Sequence, residues 1–387
     1  MYEYKNRDPG AIVQKITTPG PRQTEIEAGL KAITLEPTPG TSEEAGTSDE
    51  SDEIVKTIKD SEPSPKGTKG YFDFVVGQYV VTGSYDGDIR FYCPAQAHYL
   101  GKLPALNSYL KQINKLSLTR DNHYLAAASD DIVRLFDLNC QGVVLGDLKH
   151  PNKALVVGYE PDGRWLYVGG EDGVCRIWDK RNDQFVATIQ LDVDHISSMV
   201  LNRDRTQIYL SMETAYTGIW DLRTGKYVPL WMPRHARPHN EWIKSLAIRP
   251  DGKQVTGLTS KSQLLAWEMD TNCANPERQP VVFRDRRRKA KIPLTYALDS
   301  TYSPDGKLLA ATSCGVNIHL FNSETLLLKS VILADLRWNW TVAFSPTASH
   351  LLSGSQDGRM RVWEIDTGKK VHQWHSHQSA ITAMAIN

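Results

Sequence analysis

Short stretches of alternating apolar and polar residues, separated by corners of Gly, Asp and Pro, run through most of this chain. In "SGSQDGRMRVWEIDTGK", residues 353–369, one alternating run leads to an Asp-Gly corner, and a second run ends at Trp363. A period of two places successive side chains on opposite faces of a strand, and Asp-Gly pairs favour tight hairpin turns. The pattern therefore predicts a β-hairpin.

The same hairpin pattern occurs seven times along the chain. Each copy ends in an aromatic residue, and neighbouring aromatics are 42 to 54 residues apart, which is typical of propeller blades. A second corner, such as "SPDG" at 303–306, precedes most copies, and an alternating run such as "QFVATIQL" at 184–191 supplies a fourth strand. The sequence predicts an all-β, seven-bladed β-propeller. Its anchor aromatics are Tyr92, Phe136, Trp178, Trp220, Trp267, Phe321 and Trp363.

The chain divides into two regions of different composition. Residues 1–69 are rich in Pro, Gly, Ser, Thr and Glu and contain few large apolar residues, so burial cannot offset the entropy lost on ordering them. We expect a disordered leader, with an acidic run at 41–53, followed by the propeller at 70–387. The final alternating run, 379–387, is expected to form the inner strand of the first blade; the alternative is "YFDFVV" at 71–76.

The charge balance and the cysteine pattern argue against several classes of protein. The chain has 45 basic and 45 acidic residues, so no global field attracts nucleic acid or an anionic membrane. Its five cysteines are scattered without a CxxC pair, which fits a reducing compartment better than a disulfide framework. No segment reaches the roughly 18 consecutive apolar residues of a membrane span. We expect a cytoplasmic protein.

Motifs for catalysis or cofactor binding are missing from the sequence. It has neither the GxxxxGK[ST] phosphate loop nor the GxSxG nucleophile motif. His372, His375 and His377 lie close together, but the set offers no nearby Cys and is a weak metal candidate. The Arg-rich segment 284–293 is a possible phosphate-binding or nuclear-import patch, and a solvated loop is the alternative. We expect no cofactor, metal, small-molecule substrate or catalytic residue.

The repeats resemble WD repeats, most clearly in "IWDKR" around Trp178 and "IWDLRTGK" around Trp220. The resemblance implies that a hairpin Asp, a strand Ser or Thr, the strand Trp and a loop His form a buried hydrogen-bonded set. Thr214, Lys261 and Gly315 replace the Asp in blades four to six, so packing alone is expected to hold those blades. The matching positions are Asp86, Asp130, Asp172 and Asp357, with His150, His377, Trp178, Trp220, Trp267 and Trp363.

Several aromatic residues do not fit the alternating core. Trp338 and Trp340 are two residues apart at the start of a strand and share one face. Trp242 and Tyr296 begin strands in two other blades, and Asn114 is the corresponding residue of the second blade. Exposed aromatic residues are common anchors of protein interfaces. These five residues are candidates for a protein-binding surface.

Four stretches carry a narrower resemblance: "INKLSLTRDNHYLAAASDDIVRLFDLN" at 113–139, "VVGYEPDGRWLYVGGEDGVCRIWDKR" at 156–181, "KIPLTYALDSTYSPDGKLLAATS" at 291–313, and the segment 337–374 that begins "RWNWTVAFSP". They resemble, in family order, the small WD-repeat, G-protein β-subunit-like subunits of the TOR kinase complexes. The resemblance implies a non-enzymatic subunit that binds the TOR kinase catalytic domain and other subunits of complexes 1 and 2. The resemblance further implies that this subunit supports kinase activity and complex assembly in nutrient and growth signalling.

Two other functions remain consistent with the sequence. One is a different WD-repeat scaffold, such as a ubiquitin-ligase adaptor or a ribosome-associated scaffold. The other is a propeller enzyme, which needs convergent carboxylates, His residues or metal ligands around the channel.

Overall fold

The computed structural model describes residues 79–94, 97–103, 112–140, 142–180, 184–190, 195–213, 217–230, 242–269, 281–283, 296–334 and 338–386. The predicted leader and the Arg-rich segment lie outside these described residues.

The described residues form 28 β-strands. The first fifteen are β1 (Val80–Ser84), β2 (Ile89–Cys93), β3 (His98–Lys102), β4 (Lys115–Leu118), β5 (Tyr124–Ala128), β6 (Ile132–Asp137), β7 (Val143–Lys149), β8 (Ala154–Tyr159), β9 (Trp165–Gly170), β10 (Val174–Asp179), β11 (Gln184–Gln190), β12 (Ile196–Leu201), β13 (Gln207–Met212), β14 (Thr217–Asp221) and β15 (Tyr227–Pro229). The others are β16 (Ile243–Ile248), β17 (Gln254–Thr259), β18 (Leu264–Glu268), β19 (Val281–Phe283), β20 (Ala297–Tyr302), β21 (Leu308–Ser313), β22 (Ile318–Asn322), β23 (Leu328–Ile332), β24 (Asn339–Phe344), β25 (His350–Ser355), β26 (Arg359–Glu364), β27 (Lys370–His375) and β28 (Ile381–Ile386).

The strands form seven antiparallel sheets of four strands each. Blades two to seven are consecutive quartets, beginning with β4–β7 and ending with β24–β27, whereas blade one combines β28 with β1, β2 and β3. The inner strands β28, β4, β8, β12, β16, β20 and β24 contact one another in a closed series. The structure confirms the seven-bladed β-propeller that the repeat predicts.

The two ends of the described propeller meet in the first blade. β28 runs antiparallel to β1, with Ile386 opposite Val80 and Met384 opposite Thr82. Val80 and Ile381 are fully buried. The C-terminal run therefore supplies the inner strand of blade one, and this pairing closes the ring through main-chain hydrogen bonds.

The hydrophobic core lies between the blades. Seven clusters of buried side chains each combine residues of two neighbouring blades. The four anchor tryptophans are only 2–5% exposed, and burial of a large apolar side chain contributes about 1.5–3 kcal/mol. The four are Trp178, Trp220, Trp267 and Trp363.

The two faces of the ring are built from different turns. The inner strands begin at the upper face, where the hairpins between the second and third strands of each blade also lie. The lower face carries the turns between the first and second strands and between the third and fourth. Candidate chemistry concentrates on the upper face.

Candidate protein-binding face

The first blade contains a hydrogen-bonded set of the kind that the WD resemblance implies. His377 precedes β28, and its Nδ1 lies 3.1 Å from both carboxylate oxygens of Asp86. Its Nε2 lies 2.8 Å from Oγ1 of Thr82. An ionised carboxylate only accepts, so the His377 Nδ1–H donates to Asp86. Burial by itself raises the pKa of Asp86, but hydrogen bonds from His377 and the amides of Asp88 and Gln378 outweigh it and lower the pKa to about 2.

The third blade brings His150 and Asp172 together in a different arrangement. Nε2 of His150 lies 3.7 Å from Oδ1 of Asp172, beyond hydrogen-bonding range. Burial lowers the pKa of His150, so its neutral ring donates from Nδ1 to the Asn152 carbonyl at 2.8 Å. Nε2 then accepts from Arg176 at 3.1 Å. Arg176 also pairs with Asp172 and thereby takes the place that the imidazole has in blade one.

Blade seven contains a related pair. Nη1 of Arg361 donates to Oδ1 of Asp357 at 3.1 Å. The indole Nε1–H of Trp363 donates to Ser353 at 2.9 Å. The hairpin Asp and the strand Trp are thus both hydrogen-bonded, each to its own partner.

Asp130 does not join such a set in blade two. Ala127 occupies the strand position that Thr82 has in blade one, opposite an Arg in each case, and it has no hydroxyl group. Arg134 pairs instead with Asp147 on the outermost strand, at 2.6 Å. The turn Asp of this blade therefore lacks the strand partner that the resemblance implies.

Sequence reasoning missed four arginines that pair with carboxylates in these blades. Arg176 and Arg361 pair with the hairpin Asp, whereas Arg90 pairs with Asp88 and Arg134 with Asp147. Each lies two residues before an anchor aromatic, and the signal is visible in "DGDIRFY", "DDIVRLF", "DGVCRIW" and "DGRMRVW". The four arginines are Arg90, Arg134, Arg176 and Arg361.

Blades four to six are not held by packing alone, so that prediction is wrong. Oγ of Ser197 donates to the Ile243 carbonyl of the next blade at 2.7 Å and lies 3.0 Å from Oγ of Ser211. Oγ of Ser198 accepts from the Leu246 amide at 3.0 Å. These hydroxyl groups link the inner strand of blade four to that of blade five.

Asp299 links the next three inner strands. Its Oδ1 accepts from Oγ of Ser245 in blade five at 3.3 Å and from the Ser300 amide at 3.0 Å. Its Oδ2 accepts from Oγ1 of Thr341 and from the Val342 amide in blade seven, at 3.0 and 3.2 Å. A single carboxylate therefore links blades five, six and seven, and blades five and six lack the hairpin Asp.

An equivalent main-chain hydrogen bond occurs at the upper face of six of the described blades. The carbonyl of the residue just before the inner strand accepts from an amide of the hairpin between the second and third strands. We call the residues that carry these accepting carbonyls the rim residues. In order from blade three round to blade one they are Lys153, His195, Trp242, Tyr296, Trp338 and Ala380. Three consecutive rim residues are therefore aromatic.

Aromatic side chains cover the upper face over blades five, six, seven and one. The ring centroids of Trp242 and Tyr296 are 6.1 Å apart. Trp340 lies 6.1 Å from Trp338 and 5.7 Å from Tyr85. Tyr85, Tyr296 and Trp338 are 36%, 38% and 45% exposed. We call these five residues the aromatic arc.

Asn114 occupies a different position along its inner strand from that of the aromatic rim residues. Its Nδ2 donates to the Ala154 carbonyl of blade three at 2.8 Å. Ser197 makes the same kind of bond to Ile243 between blades four and five. Asn114 therefore links two inner strands, and it is not the blade-two equivalent of Trp338.

Carboxylates occupy the upper face over blades two to four. Asp131 is exposed, and the side chains of Glu171 and Glu213 are 30% and 35% exposed. We call these three residues the acidic arc. Nζ of Lys153 lies 3.8 Å from Glu171, and Nδ1 of His195 lies 3.4 Å from Glu213. The Lys153 and His195 side chains are themselves about half exposed, which leaves the carboxylates accessible from above.

Two of the histidines near the C-terminus contact protein side chains that are not arranged as metal ligands. His372 packs edge-on against Trp374, with ring centroids 4.1 Å apart, and His377 binds Asp86. In the part of the chain that the structure describes, no group of three His, Cys, Asp or Glu residues is placed to hold a metal ion. The same residues include no helix long and apolar enough to cross a bilayer.

The fold is a seven-bladed β-propeller, and two of its hairpins match a known repeat family. The family model "WD domain, G-beta repeat" matches residues 145–179 and 340–364. These two matches contain the hairpins of Asp172 and Asp357.

The chain is homologous to subunits of TOR complexes, as the resemblance in its sequence predicts. It is 28% identical over 331 residues to Target of rapamycin complex subunit LST8 of Bos taurus, covering 80% of this chain and 94% of the relative. It is 26% identical over 316 residues to Target of rapamycin complex subunit wat1 of Schizosaccharomyces pombe, covering 80% and 95%. It is 27% identical over 262 residues to Target of rapamycin complex subunit LST8-1 of Arabidopsis thaliana, covering 67% and 81%.

Proposed function

We propose that this protein is a non-catalytic propeller subunit of TOR complexes 1 and 2 in the cytoplasm. It binds the catalytic domain of the TOR kinase and supports kinase activity and complex assembly in nutrient and growth signalling. The similarity to relatives that are named TOR complex subunits, over most of their length, supports this assignment.

The aromatic arc is the observation that carries the contact with the kinase. Trp338 is 45% exposed although it is among the largest apolar side chains. Exposed apolar clusters of this kind mark protein-binding surfaces, and Trp and Tyr are enriched among residues that dominate binding energy. Hydrogen bonds from hairpin amides fix the main chain at three of the five arc residues, so little main-chain ordering is required on binding.

The test is capture of purified TOR kinase by the full chain and by its Trp338→Ala variant. Loss of a buried Trp anchor is expected to weaken binding by about 2 kcal/mol, roughly 30-fold in Kd. Leu327→Ala is the control, because Leu327 is 49% exposed on a lower-face turn. Both variants are expected to unfold at the wild-type temperature.

Equal capture of kinase by wild type and Trp338→Ala at low protein concentration would contradict the proposed contact. Affinity purification followed by mass spectrometry tests the assignment more broadly. Recovery of ubiquitin-ligase or ribosomal subunits in place of TOR would favour the other scaffold functions.

A further inference from the structure

The upper face combines two kinds of chemistry around one channel mouth. The aromatic arc covers blades five, six, seven and one, and the acidic arc covers blades two to four. The two arcs adjoin, since the Glu213 amide donates to the rim residue His195 of blade four, and the next rim residue in the ring is Trp242 of blade five. A partner that covers the channel mouth therefore contacts both arcs.

The acidic arc acts electrostatically on the aromatic arc. The pKa of Tyr296 is raised, mainly by burial and further by the negative charge of Glu213. Glu213 belongs to blade four and Tyr296 to blade six, so the field of the carboxylate extends across the neighbouring blade. Charged groups close to the anchor residues of a surface influence which partners approach it.

We propose that the upper face binds a basic amphipathic segment of its kinase partner. The apolar side chains of this segment contact the aromatic arc, and its Lys or Arg side chains face Asp131, Glu171 and Glu213. This inference rests on the proposed function and specifies the chemistry of the segment that the kinase presents.

Charge complementarity selects a basic segment over a neutral or acidic one. Covering the upper face removes water from Glu171 and Glu213, and a desolvated carboxylate without a cation is costly. Their present partners are weakly placed, because Nζ of Lys153 lies 3.8 Å from Glu171 and Nδ1 of His195 lies 3.4 Å from Glu213, and both side chains are about half exposed. Incoming Lys or Arg groups can approach the carboxylates more closely and form charge-assisted hydrogen bonds.

The experiment measures association of TOR kinase with the full chain at low and high salt. The double variant Glu171→Lys/Glu213→Lys reverses two charges of the acidic arc. Its association rate constant is expected to fall about tenfold at low salt, and the deficit is expected to shrink at high salt, because rim charges act mainly through long-range steering. Glu171→Gln/Glu213→Gln is expected to give a smaller loss in the same direction.

The matched control is Glu268→Lys/Glu324→Lys, which makes the same change in net charge at two exposed residues at the lower face. Unfolding midpoints confirm that every variant is folded. If the upper-face and control variants associate at equal rates while Trp338→Ala weakens capture, the basic segment is refuted and the proposed contact of the aromatic arc stands. If Trp338→Ala also binds like wild type, the proposed contact fails and this inference fails with it.

Discussion

His377 and Asp86 are 291 residues apart in the chain, and their side chains are hydrogen-bonded where the ring closes. The His377 ring also contacts Thr82 of β1. Gly358 lies beneath the same loop with φ +71°, and a Cβ at that position would lie 2.1 Å from the His377 carbonyl oxygen. The loop before β28 is thus held by the hairpins of blades one and seven.

The hydrogen bonds to Asp86 make one part of the stability dependent on pH. The pKa of Asp86 is about 2 in the folded chain against an ordinary value of 3.8, so the ionised carboxylate stabilises the folded state. This contribution is present above about pH 4 and is lost as the pH falls towards 2. Asp86→Asn is therefore expected to be less stable than wild type at pH 6, with a difference that narrows between pH 4 and 2. Denaturant unfolding curves at a series of pH values measure it, and a constant difference would contradict this assignment.

Ring closure by β28 makes the C-terminal residues essential for cooperative folding. Removal of residues 379–387 deletes an inner strand and exposes the edge of β1, and unpaired edges favour aggregation. The shortened chain is expected to lose its single unfolding transition and to aggregate in light-scattering measurements.

A milder change tests the same closure without deleting the strand. Ile381 is fully buried between blades one and seven, and Ile381→Ala is expected to cost about 2–5 kcal/mol of unfolding free energy. Thr367→Ala, at an exposed lower-face residue, is the control. A soluble deletion variant with an unaltered melting transition would show that β28 does not close the ring.

Asp299 is expected to fasten the strands that follow the aromatic rim residues. Asp299→Ala removes the acceptor of four hydrogen bonds and is expected to lower the unfolding free energy by about 2 kcal/mol. It is also expected to weaken kinase capture, because Trp242, Tyr296 and Trp338 precede the three linked strands. Glu324→Ala, at an exposed residue of the lower face, should change neither quantity. Wild-type stability and capture in Asp299→Ala would show that packing suffices.

The sequence by itself determined the blades of this protein. Apolar alternation and Asp-Gly corners are local signals, because side-chain period and turn geometry depend on residues that are neighbours in the chain. The repeat of seven anchor aromatics therefore predicted the propeller, and the unpaired run at 379–387 predicted the strand beside β1.

Only the tertiary structure decided which side chains meet between blades. Irregular pairing near the start of the inner strands, as between Ile243 and Ser245 or between Asn339 and Thr341, shifts the register that the sequence spacing suggests. The same irregularity lies between Ala297 and Asp299, and the Asp299 carboxylate contacts Ser245 and Thr341 of the neighbouring blades. The acidic arc likewise assembles from hairpins of different blades. Such contacts depend on the height of each strand in the ring, which the local pattern of a single blade does not encode.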